Sequence, residues 1–481
     1  MSDTRRRIAL VEARRPLVVG FVATCLVALG VVSVLGNDTA QRRLVAPSAS
    51  SIGPVGAEST SFTCGGMTEA PGSVAWGSLD LSNIGHTAVS ATVVVVDDAG
   101  HRGSAEVVIP AEGSTFFDPG NLVSGGTWLG AIVEAHGGGV GVVEQIHGSG
   151  GVTSTPCGSL PSPRWYFAGA STANGQHYTV NLVNPTLTPS VVNVSFLSAD
   201  GASAPSGSQG LVVPPHGVTT VAVQDLVAHA ANLATVVHAF QGRIVAFATQ
   251  DSPDPAGTAV TIGEPTLESS WVLARSIATP GAQVAMEVAN PTPHAQTVVV
   301  HVRIPSGWLS PWSEVLAPYS TWQLPMAPST RLPQTDTFAA TLDATGPGVV
   351  AYTSVQIPGA RTSGWALAPL TAPAVASAGT WVLPDLPGLR REGISLTNLG
   401  VTPVTLHVEA VTKTTAKTVE GLDGLRLDPR SFVVLTRPQL RALRSGSVLI
   451  TADGSIATGE TFDGSPAPGI ISLNGLAASK G

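Results

Sequence analysis

The chain has 481 residues, of which 43% are hydrophobic and 12% are charged, and its formal net charge is −8. The first 16 residues carry a net charge of +3, from five arginines, Asp3 and Glu12, which leaves −11 for the remainder. This acidic remainder argues against nucleic-acid binding, because proteins that bind phosphate backbones present basic surfaces. The length is ample for several hydrophobic cores.

The N-terminal region predicts a membrane anchor. Residues 1–16 form a basic tail, and Leu17 to Leu35 (LVVGFVATCLVALGVVSVL) is an apolar run without a charge. As a helix this run would be about 28 Å long, which is enough to cross a bilayer. The preceding arginines predict a cytoplasmic N-terminus, a single pass through the cell membrane and extracytoplasmic modules. A cleaved signal peptide is the alternative. Cys25 is a poor lipoprotein site because Thr24 precedes it.

Residues 36–62 are rich in Pro, Ser, Ala and Thr, a composition that predicts a flexible linker. Two cysteines, Cys64 and Cys157, then bracket the first folded segment. An even number of cysteines in an oxidising compartment predicts a disulfide between them. Closing a loop of that length would stabilise the fold by about 4 to 5 kcal/mol in the chain-entropy description.

Most of the chain repeats a unit of domain size. The segment WYFAGASTANGQHYTVNLVNP, from Trp165 to Pro185, recurs from Trp271 to Pro291 and, without Asn-Pro, from Trp381 to Gly400. The three tryptophans are 106 and 110 residues apart, whereas solenoid repeats are about 20 to 50 residues long. A divergent first copy has Leu79 to Gly85 in place of the Asn-Pro strand. We therefore predict four modules, at residues 63–158, 159–262, 263–372 and 373–481.

Each module has the pattern of short β-strands. In the second module seven segments are rich in Val, Ile, Thr and Phe, and several alternate with period two. Seven short strands separated by Pro, Gly and Asp turns are typical of an immunoglobulin-like sandwich. We predict an all-β protein of tandem immunoglobulin-like β-sandwich modules behind one N-terminal transmembrane helix. A propeller with two blades per repeat is the weaker alternative, since it needs eight strands.

The repeated residues have a structural interpretation. Proline ends a strand because it lacks an N–H, and an asparagine before it can hydrogen-bond the turn backbone. The tryptophan of each copy is predicted to fill a sandwich core, with ligand stacking as the alternative. These structural landmarks are Trp165, Asn184, Pro185, Trp271, Asn290, Pro291, Trp381 and Asn398.

Polar residues also recur near the last apolar run of each module. They are Gln145, Gln250, Gln356 and Glu460. We predict that they satisfy buried backbone groups in each sandwich, with a shared polar surface as the alternative.

The sequence contains no convincing catalytic or metal-binding pattern. Gly169 to Ala173 is one residue short of a nucleophile elbow, and it lies in an all-β repeat. A metal cluster could form across a Gly-rich hairpin from Glu134, His136, Glu144 and His147, but no established metal motif supports it. We therefore predict no catalytic residues, no metal site and no cofactor.

With WYFAGAST and the Asn-Pro strand of Arg164 to Pro185, the chain resembles the DUF5719 family of uncharacterised actinobacterial membrane-anchored envelope proteins. The resemblance covers the anchor, the cysteine-bracketed first module and the copies that open with tryptophan. The fourth copy departs from it at Asn398-Leu399-Gly400. The resemblance implies an envelope location and an association with glycan assembly, and it implies no catalytic residues.

These observations favour a non-catalytic, membrane-anchored extracytoplasmic scaffold or binding protein of the cell envelope. Its expected partners are the membrane, through residues 17–35, and an envelope glycan or envelope protein. One alternative is an envelope glycan-processing enzyme, whose ring-stacking candidates are Trp308 and Trp312. The other is a regulatory subunit that holds an envelope glycosyltransferase through the transmembrane helix.

Overall fold

The computed structural model describes residues 51–478, apart from 55, 70–74, 149–150, 200, 254–255, 279, 334–336, 358–363, 373–378, 386–389, 413–414, 444–445, 464–469 and 475. The predicted basic tail, the predicted membrane helix at 17–35 and most of the predicted linker lie outside these residues. Among the residues described, no helix combines the length and the hydropathy needed to span a membrane. Residues 47–481 form one compact unit.

The described chain folds almost entirely into short β-strands. Strand β1 (Ser51–Ile52) precedes the first module, which consists of β2 (Thr60–Thr68), β3 (Ala75–Asn83), β4 (Val89–Asp97), β5 (Arg102–Ile109), β6 (Gly113–Phe117), β7 (Trp128–Ala135), β8 (Val140–Gly148) and β9 (Gly151–Pro156). The second module consists of β10 (Arg164–Ala170), β11 (His177–Asn184), β12 (Ser190–Ser198), β13 (Gly201–Ser203), β14 (Leu211–Val213), β15 (Gly217–Ala222), β16 (Leu233–Gln241), β17 (Val245–Pro253) and β18 (Ala256–Ile262).

The third module consists of β19 (Ser270–Ile277), β20 (Gln283–Asn290), β21 (Gln296–Ile304), β22 (Gly307–Trp308), β23 (Trp312–Leu316), β24 (Ser320–Ala327), β25 (Thr337–Ala344), β26 (Val350–Ile357) and β27 (Gly364–Pro369). The fourth consists of β28 (Thr380–Leu383), β29 (Arg390–Asn398), β30 (Val404–Thr412), β31 (Thr415–Leu427), β32 (Phe432–Val434), helix α1 (Arg437–Ala442), β33 (Ser447–Ala452), β34 (Ile456–Asp463), β35 (Ile470–Asn474) and β36 (Leu476–Ala478). Short 3-10 turns lie at Pro119–Asn121, Ser206–Ser208 and Val223–Asp225.

The four modules share one arrangement of two sheets. In the second module one sheet has the order β10-β16-β12, with β13 and β14 beyond β12, and the other has the order β15-β11-β17-β18. The equivalent strands of the other modules pair in the same way, and in the first module one parallel pair, Thr68 with Trp76, links the two sheets. This order differs from the ABED and CFG sheets of a seven-stranded immunoglobulin domain.

The sequence prediction of seven strands missed β18, which lies at the edge of its sheet. Every residue of this strand from Gly257 to Ile262 is buried. A strand covered on both faces lacks the alternation of apolar and polar residues by which strands are recognised. The missed strand is also the part of the module that contacts its neighbours.

The asparagine that ends the second strand of each module makes the same local hydrogen bonds in all four copies. From Nδ2, Asn83, Asn184, Asn290 and Asn398 each donate to the carbonyl oxygen four residues later, at 2.8 or 2.9 Å. Each Oδ1 accepts from the backbone N–H two residues later. Because these bonds do not involve the following residue, the first and fourth copies make the same turn without proline.

The tryptophan that opens the later modules is fully buried. Trp165, Trp271 and Trp381 have no exposed surface. The indole N–H of Trp165 donates to the Ile244 carbonyl oxygen at 2.8 Å, and that of Trp271 donates to the Val349 carbonyl oxygen at 2.9 Å. The protein therefore covers both faces of these indoles, which leaves no face for a ligand.

The recurring polar residues do not occupy equivalent places. Gln145 pairs with Ser78, Gln250 with Tyr178, Gln356 with Gln283 and Glu460 with Ile394. These partners lie five, six, seven and four residues before the asparagine of their strands. The similar sequence spacings therefore conceal shifts along the sheet, and the four side chains form no repeated row.

The modules form a closed ring, which we call the module ring. The last sandwich strands, β9, β18, β27 and β35, contact one another in the cyclic order β9, β18, β27, β35, β9. The opening strand of each of the first three modules lies against the second sheet of the next, as β2 does against β11 and β17. A hydroxyl of the later module donates to a carbonyl oxygen of the earlier one in three junctions. These bonds join Thr249 to Gly66 at 2.8 Å, Tyr352 to Tyr166 at 3.0 Å and Ser395 to Ala274 at 2.7 Å.

A strand from before the first module closes the ring between the fourth and first modules. Strand β1 pairs in parallel with β36, which pairs with β28. Ile52 is buried against Val143, Val152, Val382 and Leu476. The range 36–62 is therefore not a linker throughout, because β1 and the start of β2 fall inside it. Two residues are too few to show a strand pattern in the sequence.

The predicted disulfide is present between Cys64 and Cys157. It ties the opening strand β2 to the residue that follows β9. Both cysteines are buried in the core of the first module.

Candidate functional site

A pocket of about 270 Å³ lies at the junction of the third and fourth modules. One side is formed by β19, β25, β21 and β22 of the third module. The other is formed by the end of β29 and by Arg430, in the turn before β32. Val272, Ala339 and Leu399 provide apolar surface, and Ser270 and Thr341 provide hydroxyl groups. The pocket thus depends on the packing of two modules.

A tight hairpin places Trp308 in this pocket, which we call the Trp308 pocket. Gly307 has a φ of 142°, in the region that favours glycine, and it pairs with Ile304 at the end of β21. The next pair, Arg303 with Trp308, therefore projects from one face of the hairpin. Trp308 is 52% exposed, and the Arg303 guanidinium lies 5.2 Å from its ring centroid, within the range of a cation–π contact.

Arg303 also connects the two modules. Its Nη1 donates to the Arg430 carbonyl oxygen at 2.6 Å. Arg430 has a φ of 51°, and the equivalent turn residues Glu112, His216 and Tyr319 have φ values from 46° to 54°. At the junction of the first and second modules, Arg102 donates in the same way to the Pro215 carbonyl oxygen at 2.6 Å. The bond from an arginine to the turn is thus shared by two junctions.

Three ionisable side chains line the pocket. They are Arg303, Arg430 and Asp343. The Asp343 side chain is 58% exposed, and its Oδ2 lies 4.0 Å from the Nε2 of His301 on the neighbouring strand. Two guanidinium groups against one carboxylate make the pocket more cationic than the acidic chain around it.

The second tryptophan nominated from the sequence lies elsewhere. Trp312 is half-buried and is not among the residues that line the pocket. The Arg331 guanidinium lies 3.8 Å from its ring centroid and donates to the carbonyl oxygens of Ser310 and Pro311. Arg331 lies closer to the Trp312 ring than Arg303 does to the Trp308 ring, and Trp308 is the more exposed of the two indoles, so Trp308 is the better candidate for stacking on a ligand.

The proposed metal cluster does not form. Glu134 on β7 and His136, just after that strand, are exposed, whereas Glu144 is fully buried on β8 in the other sheet. Within the described part of the chain, the one close group of three potential metal ligands is Cys64, Glu144 and Cys157. Both sulfur atoms of that group belong to the disulfide.

The nucleophile-like segment is part of a turn after β10. The backbone N–H of Ser171 donates to Oε1 of Gln250 at 3.0 Å. Its hydroxyl oxygen accepts from the Ala173 N–H at 3.2 Å. The backbone and hydroxyl of Ser171 are thus engaged in holding a turn between strands.

Several carboxyl groups are buried inside the modules or at their junctions. Burial raises the pKa of Glu144 to about 8, against the smaller opposing effect of the Gly65 amide. Burial, with a contribution from Glu268, raises the pKa of Glu264 to about 8. Burial raises the pKa of Glu460 to about 7, although Arg391 donates to it at 2.7 Å. None of these three carboxyl groups lines the Trp308 pocket.

Sequence reasoning found Trp308 and missed the residues around it. Arg303, Asp343 and Arg430 belong to no sequence motif. These side chains come from the third and fourth modules, and the contact between the modules leaves no local signal in the sequence.

Comparisons with solved structures give weak likenesses. The crystal structure of Thermotoga maritima 1070 is 10% identical, covers 22% of this chain and 94% of its own, and has a TM-score of 0.21. The Anabaena sensory rhodopsin transducer is 13% identical, covers 20% of this chain and 87% of its own, and has a TM-score of 0.16. Streptomyces avermitilis alpha-L-rhamnosidase, in complex with L-rhamnose, is 10% identical, covers 80% of this chain and 55% of its own, and has a TM-score of 0.13. Scores this low carry no argument about fold or function.

No curated protein matches the chain. A family of unknown function, DUF5719, matches residues 145–388, from the end of the first module to the start of the fourth. The matched region is shorter than the part of the chain over which the sequence resembles the family, but it covers just over half of the 481 residues. The chain therefore belongs to the DUF5719 family.

Proposed function

We propose that this protein is a non-catalytic binding protein of the cell envelope that holds a glycan in the Trp308 pocket. The observation that carries the proposal is the half-exposed indole of Trp308 beside apolar surface and hydroxyl groups. An aromatic face can cover the apolar face of a sugar ring, while nearby polar groups bind its hydroxyls and fix its orientation.

The carboxylates support binding rather than glycan cleavage. Most glycosidases use two carboxyl groups on either side of the scissile bond. The Trp308 pocket has one, Asp343, among its lining residues. The buried carboxyl groups of Glu144, Glu264 and Glu460 are in the interior, away from that pocket.

The location in this proposal is the outer side of an actinobacterial cell membrane, with residues 17–35 as the single span. The disulfide between Cys64 and Cys157 supports an oxidising compartment, since disulfides are rare in reducing ones. The module ring would then act as a rigid carrier of the pocket, and the partner would be an envelope glycan or a protein that bears one.

The test is binding of the full-length, detergent-solubilised protein to an array of envelope polysaccharides and oligosaccharides. Trp308→Ala should lower the affinity for the bound glycan at least tenfold. Phe240→Ala is the matched control, because Phe240 is also an exposed aromatic, 55% accessible, on the second module. Equal binding by wild type and Trp308→Ala, or no glycan binding by the wild type, would overturn the proposal.

A further inference from the structure

We infer that the Trp308 pocket selects a glycan residue that carries a negative charge, a carboxylate or a phosphate, beside its sugar ring. The inference rests on the proposed function and adds the chemical class of the ligand. It is carried by the two arginines at the pocket and by their different bonding states.

Arg430 provides an uncommitted cation. Its backbone carbonyl oxygen accepts the bond from Arg303, whereas its guanidinium makes no hydrogen bond or ion pair within the described residues. Arg430 lines the pocket, on the opposite side from the third-module sheet. A planar guanidinium offers paired N–H donors that match the two oxygens of a carboxylate or phosphate.

Arg303 contributes a second positive charge that is already fixed. Its Nη1 is used by the Arg430 carbonyl oxygen, and its guanidinium lies over the Trp308 indole. An arginine held in this way loses little further side-chain freedom when a ligand binds. A sugar that lies against Trp308 would therefore have a cation on each side of its acidic group.

Asp343 does not cancel this charge. It is the one carboxylate of the pocket, and its Oδ2 points to within 4.0 Å of the Nε2 of His301. Its carboxylate would repel an acidic ligand at the far end of the pocket. We expect it to orient the anionic group toward the arginines and to accept a hydrogen bond from a sugar hydroxyl.

The first arm of the experiment compares ligands that share a sugar backbone and differ in whether the carboxyl group is charged. Binding of the full-length protein to oligogalacturonate and to its neutral methyl ester is measured by calorimetry. A second arm compares phosphorylated with unphosphorylated mannan oligosaccharide and distinguishes phosphate from carboxylate. We expect one acidic form to bind at least tenfold more tightly than its neutral partner, with a preference that weakens as salt is raised.

A set of variants then identifies the residue that causes the charge preference. Arg430→Gln removes the guanidinium but keeps the backbone carbonyl that accepts the bond from Arg303, so it should abolish the preference for the acidic ligand over the neutral one. Arg102→Gln is the matched control, since Arg102 makes the same bond to a neighbouring turn at another junction. It should leave the preference intact.

The outcomes separate the two proposals. Equal affinity for acidic and neutral ligands, or a preference that survives in both Arg430→Gln and Arg303→Gln, overturns this inference and leaves glycan binding standing. Absence of binding by all four of these ligands overturns the inference, and absence of binding across the whole glycan array overturns the proposed function as well.

Discussion

Replacing Glu144 with glutamine should flatten the pH dependence of stability. Glu144 is fully buried on β8, with its carboxyl group beside the Cys64–Cys157 disulfide. Burial raises its pKa from 4.5 to about 8 in the folded protein. The unfolded chain restores the ordinary pKa, so the folded state holds this proton more tightly. The corresponding stability is fully present below pH 4.5 and is lost as the pH rises through 8.

The size of the effect follows from the two pKa values. One pKa unit corresponds to about 1.4 kcal/mol, so the change from 4.5 to about 8 corresponds to roughly 5 kcal/mol. Glutamine has the same shape and cannot ionise. The Glu144→Gln variant should therefore resemble the wild type near pH 4 and exceed its free energy of unfolding by up to about 5 kcal/mol at pH 9.

The assay is urea unfolding between pH 4 and pH 9 with the disulfide intact, with tryptophan fluorescence as the signal that monitors unfolding. Glu264 and Glu460 also have raised pKa values, so the wild type and the variant should both lose stability with pH, and only the difference between their curves reports Glu144. Glu134→Gln, at an exposed position on β7, is the control. Parallel curves for the wild type and Glu144→Gln would show that Glu144 does not have a raised pKa in the folded protein.

Three further predictions concern the turns, the junctions and the closure of the ring. Asn184→Ala removes the hydrogen bonds that the Asn184 side chain makes with Thr188, Val213 and Thr186. At about 1 kcal/mol for each bond, and with carbonyl groups left unsatisfied, the variant should lose about 3 to 5 kcal/mol of unfolding free energy in urea titrations. A loss below about 1 kcal/mol would contradict the role assigned to Asn184. Tyr352→Phe deletes the hydroxyl group that donates to carbonyl oxygens of the second module. The variant should lose about 1 to 2 kcal/mol of unfolding free energy and show faster amide hydrogen exchange in β10. Unchanged exchange in β10 would argue against a role of Tyr352 in this junction. Ile52→Asp places a charge in the apolar contact between the first and fourth modules and should speed up amide hydrogen exchange in β1 and β36. Exchange at the wild-type rate would show that β1 does not hold this junction.

Two of these variants have a matched comparison. Asn193→Ala removes one bond, from the Gly210 N–H at 2.8 Å, and should cost less than Asn184→Ala. Ile52→Val keeps the apolar contact and should leave the exchange of β36 close to that of the wild type. These pairs separate loss of a particular contact from a general effect of substitution.

Much of each module was predictable from the sequence because its signals are local. The asparagine at a strand end bonds to backbone groups two and four residues later, so its role depends on the residues next to it. The strands from His177 to Asn184 and from Ser190 to Ser198 alternate because one face is apolar. The disulfide followed from the pairing of two cysteines in one segment.

The strands that join the modules were harder to predict. Strand β18 is buried on both faces, and β1 has two residues, so neither has the alternation that marks a half-buried strand. The recurring residues Gln145, Gln250, Gln356 and Glu460 show the converse problem, since similar spacing along the chain did not place them at equivalent positions in the sheets.

An all-β chain of four repeated units, with their turns, three buried tryptophans and one disulfide, could be inferred from the sequence alone. The closure of the units into the module ring, and the pocket shared by Arg303, Trp308, Asp343 and Arg430, became visible only in the folded protein. The difference lies in the range of the interactions involved. Alternation and turn bonds act between residues close in the chain, whereas the ring and the pocket depend on contacts between modules, which the spacing of residues does not encode.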